Sequence, residues 1–465
     1  MVRNLTQGRP LKQILLFALP IFIGNIFQQL YSMVDNIIVG RTLGEFAFAG
    51  VGATTSLAFL IIGFVQGLTA GFAVKTSQYF GGHDEEKVKS SVATSMILCG
   101  VLTVVLTLVS VFTAMPILRL LRTPSDIIQY SYDYIVIVFA GLGATMLYNM
   151  VSSILRALGD SKIPLIFLVI ASIINIGLDL LFIMVFKMGV AGAGWATVIS
   201  QLISGVACLI YMFKKYEILR LSRRHFKMSV KFALAHLTIG LPMAIQYSII
   251  AIGIMIQQFV INTFGTVYVS AFTAASKIDS LITQSLVAMG TSVATYVGQN
   301  FGAGEIKRID KGVNQAMVVS VGLAIVTGLL AYFGSDLLTG LFIENPSSQM
   351  LDLSKQFLLW QGLFYICLAI IYVYRNALQG MGYSLITTVG GFIELGMRIL
   401  TSFLFVKFWN YLGLCVSNPC TWLSVDILYL ASYYLLMQFK YKKAYARNNI
   451  KIAERFAQVS KVKHA

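Results

Sequence analysis

Charge is scarce in this chain. Of its 465 residues only 12% are Asp, Glu, Lys or Arg, and the acids number 19. A soluble domain carries about a quarter of its residues charged, so this sequence cannot clothe a water-facing surface of its size. Histidine and cysteine are few as well, at 4 and 5. Cys99, Cys208, Cys367, Cys415 and Cys420 fall in or beside apolar stretches, and the spacing of Cys415 and Cys420 fits no common zinc pattern. His83, His225, His236 and His464 lie in loops, at the end of an apolar run, or in the tail. There is no Gly-x-Ser-x-Gly elbow, no His-Glu-x-x-His run and no Walker A sequence. These absences leave no support for an intramembrane hydrolase or an ATP-driven machine. We expect no enzyme activity and no cofactor beyond a coupling ion.

What is present is apolar. Hydrophobic residues make up 57% of the chain and the mean hydropathy is +0.79. Apolar runs between polar or Gly/Pro punctuation fall near 14–39, 47–75, 91–113, 127–155, 163–186, 189–213, 230–262, 268–297, 313–334, 350–376, 384–406 and 412–438. About 20 apolar residues cross a bilayer as a helix. Long continuous runs of this kind need a helical backbone in lipid, since a helix satisfies its own polar groups. The expected fold is an all-α polytopic membrane protein with twelve transmembrane helices. The first run extends well past a signal-peptide core and no small-residue cleavage site follows, so it is expected to remain as a span.

The few charges are unevenly placed. One set of span ends carries 27 of the 35 Lys and Arg residues and the opposite set carries 5, which places both termini in the cytoplasm of a multi-pass cell (inner or plasma) membrane protein. The net charge of +16 is mostly this bias. Because it is spread over many short loops, nucleic acid is not an expected partner. The basic tail is expected to be able to lie on anionic lipid. The chain is expected to act as a monomer.

The two halves repeat. Leu19-Pro20 matches Leu241-Pro242, Ser77-Gln78-Tyr79-Phe80-Gly81-Gly82 matches Gly298-Gln299-Asn300-Phe301-Gly302-Ala303, and Leu155 to Ser161 matches Leu378 to Ser384, at offsets of 222, 221 and 223. An even number of spans per copy gives a parallel duplication about an axis along the membrane normal, a transporter architecture. The expected organisation is a six-helix bundle over 1–213, a basic linker over 214–231, a second bundle over 232–438 and a basic tail over 439–465.

An acid inside a span is costly and marks a functional site by default. Asp35 lies near the outer end of span 1. Counting residues from the outer ends of the spans places Asp179, Asn175, Thr197 and Tyr134 at a similar depth, from spans 5, 6 and 4. Two carboxylates with amide and hydroxyl oxygens can offer hard ligands to Na⁺ or carry a proton. The alternative is an Asp35 that reaches the outer surface and an Asp179 bonded to Asn175 or backbone. Pro20 breaks the hydrogen-bond ladder of span 1, as a hinge or as a static kink. The abundant aromatic and Met residues mostly pack or face lipid, and some could line a cleft for cationic ligands.

The chain resembles the multidrug and toxic compound extrusion (MATE) transporters over nearly its full length. The resemblance rests on Ala18-Leu19-Pro20, Met33-Val34-Asp35, the Gly-rich ends of spans 2 and 8, Leu155 to Ser161, and Gly194-Trp195-Ala196-Thr197, set in twelve spans with a repeat. It implies export of cationic or amphipathic compounds driven by inward Na⁺ or H⁺, by rocking between two open states. It further implies that Asp35, Asp179, Asn175 and Thr197 occupy the coupling positions of the DinF-like branch. A flippase for a lipid-linked or amphiphilic metabolite is the alternative on the same architecture.

In the second half, Gln257 and Gln258 stand where span 1 has Asp35, and neither Ile245-Gln246-Tyr247 nor Leu359-Trp360-Gln361 supplies an acid. Glu394 and Arg398, at i and i+4 in span 11, align with Asn175 and Asp179. They are expected to form a buried ion pair, with involvement in the substrate cleft the alternative. Asp279 in span 8 is a further cleft candidate, with Lys277 and Asp426 behind it.

Overall fold

The computed structural model describes residues 4–121, 123–343 and 346–442, without the side chains of Lys440 and Lys442. The basic tail expected over 439–465 thus lies outside the described residues beyond Lys442. Twelve helical spans follow in order and no strand occurs among the described residues. Spans 1 to 3 are Pro10–Leu43, Glu45–Gly81 and Glu85–Leu120. Span 4 is Ile128–Ala140 with Leu142–Ala157, span 5 is Lys162–Asp179 running on into Leu180–Val185, and span 6 is Val190–Lys215. Span 7 is Val230–Ile261, and span 8 is Thr266–Ile282 with Gln284–Gly302. Span 9 is Ile306–Phe333, span 10 is Ser348–Leu363 with Tyr365–Gly380, span 11 is Ser384–Trp409, and span 12 is Tyr411–Phe439.

Among the described residues, nine helices are long and apolar enough to cross a membrane unaided, and spans 4 and 10 qualify as pairs bent by 50°. Span 8 completes the twelve as two segments that carry Lys277, Asp279 and Gln284. The helices outrun the apolar runs at their ends because polar residues can continue the ladder once outside the hydrocarbon. Pro10 opens span 1, where its missing N–H is not needed. The Asp84 side chain accepts from the Lys87 amide at 3.1 Å to cap span 3, with Glu85 and Glu86 in the first turn.

The duplication also appears in the turns. Left-handed backbone occurs at Gly44 and Gly265, His83 and Gly304, Gly159 and Gly382, and Lys187 and Asn410, each pair offset by 221 or 223 residues. Helices commonly end on such a residue because its N–H reaches back to an unsatisfied carbonyl. Gly159 and Gly382 do this to Arg156 and Gln379 in the same way, at 2.8 Å each.

The two largest hydrophobic cores form mainly one from each half. The basic ends of the repeat-related spans 1 and 7 trade sides. Leu5 and Ile14 pack in the second core, and Ala233 and Ala244 in the first. The two bundles meet at the basic end through the repeated motifs. Gln78 Nε2 donates to the Gly380 carbonyl at 2.9 Å, and its repeat partner Gln299 donates to the Ala157 carbonyl at 2.8 Å. Gly81 and Gly302 lie so close to the Gln299 and Gln78 carbonyls that any Cβ would overlap them. Further out, span 2 crosses span 7 at Gly63, Gly67 and Gly71, the small-residue packing used where lipid offers no hydrophobic drive between helices. The crossing continues to a contact of Ser248 Oγ with the Leu60 carbonyl at 3.4 Å.

Candidate functional site

Span 5 brings Asp179 into the first bundle as its last α-helical residue, before the chain widens into a π-turn over Leu180–Val185. Such turns often occur at functional positions in helices. Asp35 on span 1 faces it within hydrogen-bonding reach. Both are buried, at 8% and 0% exposure, and Asp35 Oδ1 and Asp179 Oδ1 have no hydrogen-bond partner among the described residues.

The other predicted residues converge on this pair. In the amide orientation that satisfies both its ends, Asn175 donates to Asp179 Oδ2 at 3.0 Å and accepts from the Thr197 amide at 3.2 Å. Tyr134 from span 4 faces Thr197 and lies in the field of both acids. The layer inferred from depth alone is thus a single cluster. Sequence reasoning missed Tyr31, whose hydroxyl also faces Thr197 beside Asp35. Its position one turn before Asp35 on the same helical face was the available signal.

Two carboxylates this close in a dry site cannot both remain bare anions. Charges a few ångströms apart repel strongly at low dielectric, so a proton or a metal cation must compensate one of them. The two free oxygens, with Asn175 and the hydroxyls of Thr197, Tyr31 and Tyr134, form a hard-oxygen donor set suited to a small cation. Toward the basic end, a cavity of about 140 Å³ opens beside Tyr31, lined by Pro20, Asn25, Gln28, Gln66, Asn149 and Arg156. The helix of span 1 is continuous through Pro20.

The second bundle differs at the same level. Gln257 donates to Asn418 Oδ1 at 2.8 Å, Asn418 to Gln361 Oε1 at 3.3 Å, and Gln361 to the Cys415 carbonyl at 2.9 Å. A closed chain of neutral amides stands where the first bundle has open acids.

The ion pair expected between Glu394 and Arg398 does not form. No contact within ion-pair distance joins them among the described residues, and Glu394 Oε1 and Arg398 Nε lack hydrogen-bond partners. The Arg398 side chain instead lies against span 7 at Gly253, where a Cβ would come within 3.0 Å of Arg398 Cδ. The strongest cationic influence on Glu394 is Arg375, with Arg398 second. Arg375 reads in the sequence as a basic-end residue. A π-turn over Ile371–Arg375 carries it inside the bundle, 5.1 Å from the Tyr372 ring. Asp426 is buried beside Cys367 in the same interior, Asp279 accepts from the Tyr365 hydroxyl at 2.7 Å, and Lys277 is exposed.

Comparison with known proteins follows the same division into halves. The MatE family model matches residues 20–181 and 242–404. The chain is 31% identical over 379 residues to a probable multidrug resistance protein, YpnP of Bacillus subtilis, covering 82% of this chain and 84% of that one. It is 27% identical over 439 residues to YoeA of the same organism, also described as a probable multidrug resistance protein, covering 92% and 93%. Among solved structures, a MOP-superfamily transporter from Pyrococcus furiosus superposes with a TM-score of 0.87 at 22% identity, over 93% of this chain and 97% of that one.

Proposed function

The chain belongs to the MatE family of multidrug efflux transporters, and from that premise we propose that it exports cationic or amphipathic small molecules in exchange for Na⁺ or H⁺. The observation that carries this reading is the facing pair Asp35 and Asp179, buried, with a free oxygen on each. When a cation or proton occupies the pair, the charge is compensated and the first bundle is stabilised in one arrangement. When it leaves, repulsion between the acids favours another. Alternating access then follows from differential ion binding to two states. Coupling through one bundle alone fits the DinF-like branch of the family, since the second bundle closes its equivalent layer with amides.

On this reading the basic end is cytoplasmic and closed by the Gln78 and Gln299 contacts, so the cleft between the bundles opens outward. Pro20, in the wall of the cavity below Tyr31, is the place where span 1 can bend as the acids change state. A second reading, export of an anionic amphiphile, draws on Arg375 and Arg398, two arginines in the second bundle that lie in the field of Glu394 without an ion-pair contact to it among the described residues.

Purified protein in proteoliposomes, with a Na⁺ or an H⁺ gradient imposed separately, tests the first reading. Uptake of a cationic dye against one gradient, lost in Asp35→Asn, is the expected result. Dye transport that persists with both gradients collapsed would overturn it, and gradient-driven movement of an anionic amphiphile with no dye transport would favour the second reading.

A further inference from the structure

Where span 1 begins, its basic end leaves the first bundle and lies along span 9 of the second. The preceding strap is tied down: Arg308 donates to the carbonyls of Leu5, Gln7 and Gly8 at 3.1, 2.8 and 2.7 Å, and the Leu5 amide donates to Gln299 Oε1 at 2.9 Å. Beside this strap runs a groove of about 600 Å³ between the two helices, lined by Pro10, Leu11, Leu15 and Leu16 of span 1 and, at its edges, by Arg9, Lys12, Lys311 and Gln315. Its walls are almost wholly apolar, and Leu15 and Leu16 are 38% and 41% exposed.

We propose that this groove binds an anionic phospholipid, which bridges the two bundles at their basic ends. Three observations identify the occupant. The groove, at about 600 Å³, has room for the headgroup and glycerol region of one phospholipid, within the range of about 300–1,000 Å³ usual for small-ligand sites. Arg9, Lys12 and Lys311 stand around its mouth, and none of them forms an ion pair among the described residues. The acid next to Lys311 in sequence, Asp310, acts on Tyr374 and Tyr433 in the bundle interior. Third, the polar groups are graded by depth. Gln315 lies one helical turn beyond Lys311, about 6 Å further along the axis, where its amide can donate to an ester carbonyl while the cations hold the phosphate. Basic pockets between spans are the usual lipid headgroup sites of membrane proteins.

The lipid takes contacts from span 1 and span 9 together, on the side where the Gln78 and Gln299 clasp already joins the bundles. It therefore reinforces the state in which that side is closed. The proposal stands on the groove and its cations and does not depend on which ion or substrate the protein carries.

The test uses the full chain in detergent, with its thermal midpoint and lipid adducts followed by native mass spectrometry as phosphatidylglycerol or phosphatidylcholine is added. Phosphatidylglycerol should bind and stabilise well beyond phosphatidylcholine. The variant Lys12→Gln/Lys311→Gln should weaken that binding about fivefold per cation removed, while Lys227→Gln, a basic-linker change away from the groove, should leave it intact. Leu16→Trp, which fills the groove and keeps every charge, should abolish the preference, and it serves if the double variant does not fold. Glycerol phosphate, a headgroup without acyl chains, should not stabilise. Equal loss in Lys227→Gln, undiminished binding in Leu16→Trp, or full stabilisation by glycerol phosphate would each overturn the proposal.

Discussion

Asp35 and Asp179 face each other across the first bundle from spans 1 and 5, within hydrogen-bonding reach, and each keeps one oxygen free. A static structural pair would close both carboxylates with donors. This one leaves an acceptor on each side of the same gap, with Asn175 supporting one acid and the hydroxyls of Tyr31, Tyr134 and Thr197 grouped around them. On the proposed reading, this gap is where a cation or a proton binds and from which it leaves.

Asp35→Asn should reduce ion-coupled efflux at least about tenfold, since metal sites lose about 10–100-fold even when only supporting groups are removed. Folding and membrane insertion should be unaffected, because the asparagine relieves a repulsion. Flux in proteoliposomes together with size-exclusion profiles checks this, and wild-type flux from the variant would refute coupling at this pair.

Gly81→Ala should destabilise the closed basic end, because its Cβ would overlap the Gln299 carbonyl. Overpacking of this kind costs about 1–3 kcal/mol. Distances between spin labels on the basic ends of the two bundles should broaden or lengthen in the variant. The double change Gln78→Ala/Gln299→Ala, which removes the reciprocal bonds at about 1 kcal/mol each, should move them the same way. Unchanged distances in both would remove the clasp from the mechanism.

Glu394→Gln should destabilise the protein, by less than the loss of a contacting buried ion pair would, because no ion-pair contact joins Glu394 to either arginine among the described residues. Arg375 and Arg398 then lose the attraction of an acid whose field both of them feel. Adding Arg375→Gln should cost less than the sum of the two single changes. Thermal midpoints of the four proteins in the cycle measure this coupling, and strict additivity would count against it.

Asp84→Ala should cost about 1 kcal/mol at neutral pH through loss of the span 3 cap. The Lys87 side chain, followed by its backbone amide, holds the Asp84 carboxyl below the usual aspartate range. A group with a lowered folded value contributes stability above its unfolded value and loses it as pH falls through the folded one. The difference between wild type and variant should therefore be full at pH 7 and fade as pH falls below the ordinary aspartate value. Thermal midpoints across that range decide the point.

Much of the architecture was legible because lipid removes choices. A backbone without water must bond to itself, so apolar runs became helices, and the duplicated Gln and Gly motifs became the duplicated clasp. Asp35, Asp179, Asn175, Thr197 and Tyr134 could be placed in one layer because depth is a count of residues along a known rise. Arg375 was misplaced for the corresponding reason. Its sequence position put it at the basic end of span 10, whereas the structure carries it on a π-turn inside the bundle, beside Tyr372.

The sequence by itself determined the class of protein, the number of spans, the repeat and the layer that holds the acids, because each follows from one-dimensional periodicity and the price of charge in hydrocarbon. Tertiary structure alone decided which residues touch. Helix rotation has no signature in a chain that is apolar on every face, so the contact of Asp35 with Asp179, the parting of Glu394 from Arg398 over Gly253, and the exchange of span ends between the bundles arise only once the helices pack.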